Sequence, residues 1–123
     1  MPDPVALKIL IVEDEPLIAM TLLDMVEELG HQPLEAFNAA KAEQLFAAHE
    51  DIDLVITDIG LPDLPGDALV DRLRALRPLL PVIFASGQLP LTLPPARTVW
   101  LGKPFRLEDL MTALRKVMAQ LEA

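Results

Sequence analysis

The chain has 123 residues, 52% hydrophobic and 24% charged, with a net charge of −9 and no cysteine. That length holds one core, the apolar share excludes a disordered chain despite twelve prolines, and the missing cysteines exclude disulfides and thiol chemistry. Ten scattered basic residues argue against nucleic acid, and no apolar run approaches a membrane span, so a soluble cytoplasmic domain is expected, with no signal peptide before Lys8.

Lys8-Ile9-Leu10-Ile11-Val12 is a short β-branched apolar run and predicts a strand buried on both faces. Pro16 suits the first position of a helix, where its missing N–H would be an orphan in any case. Leu17, Ile18, Met20, Leu22, Met25, Val26 and Leu29 then recur at helical spacing up to a stop at Gly30. A weaker strand is expected from Pro33 to Ala36, with Asn38 capping a helix over Ala39 to Ala48. Leu54-Val55-Ile56-Thr57 predicts a second buried strand ending at Asp58, followed by the loop Ile59-Gly60-Leu61-Pro62-Asp63-Leu64-Pro65-Gly66. A helix from Asp67 to Leu76 closes before Pro78. Pro81 to Ser86 predicts another buried strand, Thr98 to Leu101 a short one, and Leu107 to Leu121 the most regular amphipathic helix. Alternating strands and helices imply a parallel sheet covered on both faces, whose sites form at the carboxyl ends of its strands.

Those strand ends carry Glu13-Asp14-Glu15, Asp58, Ser86-Gly87 and Lys103-Pro104. Taken singly, each has a plain structural explanation. Asp14 reads as a helix cap, Glu15 as a first-turn acid, Asp58 as a turn residue, Ser86 as a strand-end hydroxyl and Lys103 as a surface lysine. Their convergence on one edge of a sheet does not. Acids about 4–6 Å apart repel by 3–4 kcal/mol per pair at an effective dielectric near 20. One lysine cannot offset three such groups, whereas a hard divalent cation such as Mg²⁺ can. His31 and His49 have no evident partners and read as surface residues.

The set Glu13-Asp14, Asp58, Ser86 and Lys103-Pro104-Phe105 resembles the receiver domain of bacterial two-component response regulators, of the chemotaxis-regulator type, over about Lys8 to Leu121. The resemblance implies an α/β fold, a five-stranded parallel sheet in the doubly wound flavodoxin-like receiver arrangement. It also implies that Asp58 accepts a phosphoryl group from a sensor histidine kinase or a histidine phosphotransfer protein. Mg²⁺ would be held by Asp14, Asp58 and the backbone carbonyl of Gly60, with Glu13 acting largely through water. Lys103 would pair with Asp58 and then with a phosphoryl oxygen, and Ser86 would donate to another. Backbone N–H groups of Gly60 and Gly87 would complete the oxygen cradle. Trp100 stands where the family carries a Tyr or Phe that swings inward on phosphorylation, so Ser86 and Trp100 form the implied switch, unless the bulkier indole is a fixed packing residue.

Between the fourth and fifth strands the chain departs from the family. Pro90, Pro94 and Pro95 each cost about 3 kcal/mol inside a helix, so the fourth helix is expected to be missing or reduced. Leu89, Leu91 and Leu93 alternate there and would instead cover the sheet. Pro81 to Gly87 resembles a subgroup with a Phe-Ala-Thr-Gly signature, found in alphaproteobacterial single-domain regulators and in receivers of hybrid kinases, with Ser86 in place of its threonine.

The expected organisation is a single receiver domain over residues 1–123, with a core at about 7–121 and no output domain. It would signal by protein interaction and catalyse only its own phosphorylation and dephosphorylation. The alternative is a pseudo-receiver, a pure interaction module, against which the intact acids and lysine weigh. A flavodoxin-like electron carrier would need a phosphate loop where Glu13-Asp14-Glu15 stands. A haloacid-dehalogenase phosphatase would need an acid at the position of Gly60.

Overall fold

The computed structural model describes residues 6–87 and 96–122. Among them the chain order is β1 Lys8–Val12, α1 Pro16–Glu28, β2 Gln32–Ala36, α2 Ala39–Ala48, β3 Leu54–Thr57, α3 Gly66–Leu76, β4 Val82–Ser86, β5 Thr98–Gly102 and α4 Leu107–Glu122. The strands form one parallel sheet in the order β2-β1-β3-β4-β5, with Ile9 opposite Leu54 and Val55 opposite Val82.

The period of two along each strand sorts the core into two layers. Leu10, Val12, Val55, Val82 and Phe84 point to one side, where Ala42 and Phe46 of α2 and Leu69 and Leu73 of α3 cover them. Ile9, Ile11, Ile56, Ile83 and Leu101 point to the other and meet Leu22 and Val26 of α1 and Leu110, Leu114 and Val117 of α4. The continuous apolar runs read as strands are therefore buried on both faces. Every residue of β3 and of β4 is buried.

The helix signals translate locally. Asn38 accepts a hydrogen bond from the Lys41 amide at 2.8 Å and so caps α2, and Pro16 opens α1. Gly30, at φ 87°, turns the chain out of α1 through the left-handed region that only glycine enters at no cost. Asp14 makes no such cap: Glu15 stands at the cap position, and its side chain makes no capping bond either.

The expectation of a missing or reduced fourth helix requires correction. Four complete helices, α1 to α4, are present among the described residues and none of them is reduced; the last, α4, runs for sixteen residues. Prolines 90, 94 and 95 act only on their own span, and they leave the helical spacing of Leu107, Leu110, Leu114 and Val117 untouched. That span, residues 88–95, lies outside the described residues, together with the alternating leucines expected to cover the sheet there.

His31 also departs from its reading as a surface residue. It is half-buried between α1 and β2, and its Nδ1 accepts the Leu7 amide at 2.9 Å. The ring nitrogen must be bare to accept, and burial lowers the imidazole from its ordinary value. The folded state then binds fewer protons than the unfolded chain, so stability is fully present above the ordinary imidazole range and falls as pH drops through the lowered folded value. Melts taken between about pH 7.5 and 5 should show the melting temperature decline, with a shallower decline in His31→Gln. Parallel curves would assign the acid sensitivity to other groups.

Candidate functional site

The topology brings the predicted groups to one edge of the sheet. Glu13 and Asp14 follow β1, Asp58 follows β3, Ser86 ends β4 and Lys103 follows β5. Backbone bonds between neighbouring strands hold these ends in register. The Asp58 amide donates to the Val12 carbonyl at 3.0 Å, the Glu13 amide to that of Ala36 at 3.0 Å, and the Lys103 amide to that of Ser86 at 2.8 Å.

One carboxylate oxygen from each of Glu13, Asp14 and Asp58 lies within 4.8 Å of the others. The three are unequally solvated: Glu13 is buried, Asp58 half-buried and Asp14 exposed. Lys103 reaches in from the far strand and bridges two of them. Its Nζ donates to Glu13 Oε1 at 2.6 Å and to Asp58 Oδ2 at 3.0 Å. The expected Lys103–Asp58 pair is present, but the shorter bond goes to Glu13.

The electrostatics follow from this geometry. Burial pushes the Glu13 carboxyl up from its ordinary value, against the pull of the Lys103 hydrogen bond and of the Glu15 amide. Burial alone would lower the Lys103 ammonium, but its bonds to Glu13 and Asp58 outweigh that and hold it above its ordinary value. A single ammonium thus faces three carboxyl groups. The donors are all oxygen, with one oxygen site from each acid, which suits a hard divalent cation better than a soft metal.

The remaining predicted groups sit around this cluster. The Gly60 amide donates to Asp58 Oδ1 at 3.2 Å, so its N–H already points at that carboxylate. The space beside the α-carbons of Gly60 and Gly87 is open, with no atom within 4 Å of where a Cβ would stand. Ser86 is buried at the end of β4. Trp100 packs its ring 5.0 Å from that of Phe84, and its buried indole N–H has no acceptor among the described residues.

Two residues that sequence reasoning passed over complete the site's frame. Gly66 opens α3 directly against the backbone of Asp58, and a Cβ there would stand 2.0 Å from the Asp58 carbonyl oxygen. Pro65-Gly66 ahead of a helix was the available signal. Asp63 accepts from the Ala39 and Ala40 amides at 2.9 Å each, a long-range contact with no signature in local sequence.

Residues 9–115 match the response regulator receiver domain family. The chain is 35% identical over 118 residues to the transcriptional regulatory protein BasR of Escherichia coli K12, covering 91% of this chain and 52% of BasR. It is 28% identical to the sensor kinase CckA of Brucella abortus, covering 89% of this chain and 12% of that kinase. Thus it spans about half the length of the curated regulators it matches, and far less of the kinase. Among solved structures, the response regulator TrrA of Thermotoga maritima, in complex with Mg(2+)-BeF, superposes with a TM-score of 0.81 at 25% identity, over 90% of this chain and 98% of that one. No helix among the described residues is long and apolar enough to cross a membrane. With the match running from β1 into α4, and with acids and lysine meeting at the strand ends, the chain belongs to the response regulator receiver domain family.

Proposed function

We propose that this chain acts as a single receiver domain in which Asp58 accepts a phosphoryl group from a phosphohistidine. The observation that carries the reading is the cluster of Glu13, Asp14 and Asp58 bridged by Lys103 Nζ. In the transfer a carboxylate oxygen of Asp58 attacks phosphorus in line. The new P–O bond forms as the P–N bond to the donor imidazole breaks, and the leaving nitrogen takes a proton.

Little covalent assistance is needed, so the protein's work is positioning and charge neutralisation. Asp14, Asp58 and the Gly60 carbonyl would hold Mg²⁺, with Glu13 contributing through water. The ion would screen the incoming phosphoryl oxygens from the acids. Lys103 Nζ follows the charge from Asp58 to a phosphoryl oxygen. Ser86 and the N–H groups of Gly60 and Gly87 donate to the others. Ser86 and Trp100 form the switch: engagement of the serine hydroxyl at the phosphoryl group frees room for the indole, whose N–H has no acceptor among the described residues.

The donor is a sensor histidine kinase or a histidine phosphotransfer protein, and a downstream protein reads the phosphorylated state. Support comes from the relatives, which include a sensor kinase. It comes also from the surface beside the site, where Leu17 and Met20 are exposed on α1 and a groove is lined by Ile18, Thr21, Pro104 and Phe105. A donor docked there reaches Asp58 with its apolar contacts desolvated.

The test is intact mass after incubation with phosphoramidate or acetyl phosphate, with and without Mg²⁺, read together with the emission of the single tryptophan. A single Mg²⁺-dependent phosphoryl adduct is expected, absent from Asp58→Asn and accompanied by a change in Trp100 emission. A folded protein that forms no adduct and binds no Mg²⁺ would instead make this an interaction module without the chemistry.

A further inference from the structure

The loop from Asp58 to Gly66 carries the carbonyl of Gly60 and is fastened at three places. At its start the Asp58 amide donates to Val12, and at its end the Gly66 amide donates to the Ile59 carbonyl at 2.7 Å. At its apex Asp63 reaches out of the loop, and its two carboxylate oxygens accept separately from the Ala39 and Ala40 amides at the first turn of α2. That helix has its own cap in Asn38, which takes the Lys41 amide. Asp63 therefore joins two elements, whereas Asn38 serves one.

The join closes a ring around the acidic cluster. From Asp58 the ring passes along the loop to Asp63, across to α2, and back through Phe37 to Ala36. The Ala36 carbonyl accepts the Glu13 amide, and Lys103 connects Glu13 to Asp58. The two backbone N–H groups hold the Asp63 carboxyl below its ordinary value, so it bonds as a carboxylate at neutral pH.

We infer that Asp63 is a positioning residue for the receiver reaction, clasping the loop to α2 so that the Gly60 carbonyl is held where the cation of the acidic cluster requires it. The inference rests on the receiver reading above. Groups one shell removed from a metal change its affinity by about 10- to 100-fold when lost, through the orientation of the ligands they hold. Asp63 acts here through backbone rather than through a ligand side chain, which places the expected effect at the lower end.

The experiment is calorimetric titration of the full chain with MgCl₂, alongside phosphorylation rates at graded Mg²⁺. Asp63→Ala should raise the Mg²⁺ Kd about 10-fold and slow phosphorylation at low Mg²⁺, with the rate recovering at saturating Mg²⁺. Asp63→Asn keeps one acceptor oxygen and should fall between this variant and wild type. Asn38→Ala removes a cap from the same helix without touching the loop. It should lower the melting temperature while leaving the Mg²⁺ Kd unchanged. Should Asp63→Ala not fold, Asp63→Asn is read in its place. Wild-type Mg²⁺ affinity in an Asp63 variant that melts lower would reduce the residue to a helix cap and overturn the inference. A wild-type chain that takes up neither Mg²⁺ nor phosphoryl would overturn the receiver reading itself, a separate outcome visible before any variant is made.

Discussion

Gly66→Ala should cost about 3 kcal/mol of stability and most of the Mg²⁺-dependent phosphorylation. Overpacking a core typically costs 1–3 kcal/mol, because side chains can rotate away. Here a new Cβ would lie 2.0 Å from the Asp58 carbonyl oxygen, 2.9 Å from its carbonyl carbon and 2.9 Å from the Ile59 α-carbon. All three are backbone atoms, so no rotamer change can relieve the contact. The chain must move α3 away from the loop or the loop away from α3. Either shift strains the 2.7 Å bond from the Gly66 amide to the Ile59 carbonyl and drags Asp58 away from Lys103. Urea melts and intact-mass phosphorylation check the two effects together. Gly60→Ala is the control, since a Cβ there meets no atom within 4 Å, and it should retain wild-type stability. A Gly66→Ala protein as stable as wild type would mean that α3 is free to pivot at its first turn.

Why Gly66 and Asp63 escaped the sequence reading, while Asp58 and Lys103 did not, has a physical cause. β1, β3 and β4 are short apolar runs buried on both faces, and each ends in a polar residue where the sheet ends. A local pattern therefore places Glu13, Asp58 and Ser86 on one edge once the sheet is known to be parallel. α4 was equally legible, because its period of 3.6 needs no partner to be seen. The partition of the acids was not legible. Whether Glu13 or Asp14 turns inward depends on the pleat at the end of β1, so the burial of Glu13 and its short bond to Lys103 emerge only in three dimensions. Gly66 and Asp63 owe their roles to contacts with residues 58 and 39–40; Pro65-Gly66 signals a turn but not its contact with Asp58, and nothing nearby in sequence announces Asp63.

In EDTA, Asp58→Asn should be more stable than wild type by about 1–3 kcal/mol, even though it removes one partner of an ion pair. Three carboxyl groups share a single ammonium, and a repulsion of 3–4 kcal/mol per carboxylate pair would apply at an effective dielectric near 20 and a separation of about 4–6 Å. Replacing Asp58 by Asn deletes its repulsion with Glu13 and Asp14 while sparing the 2.6 Å bond from Lys103 to Glu13. Against this stands the loss of a charged acceptor at 3.0 Å; the single Asn oxygen can still accept from Lys103, but the Gly60 amide then faces the Asn NH2. The Asp58 side chain is 17% exposed, so water screens part of both terms, and the net gain falls below the bare Coulomb figure. Adding Mg²⁺ should narrow the difference, because a ligand that binds only the folded state stabilises it by RT ln(1 + [L]/Kd), and the Asn variant binds the ion more weakly. Thermal melts of both proteins in EDTA and at graded Mg²⁺ provide the comparison. An Asn variant equal to or below wild type in EDTA would mean that Lys103 already neutralises the pocket. That outcome would also remove the electrostatic reason for this site to recruit a divalent cation.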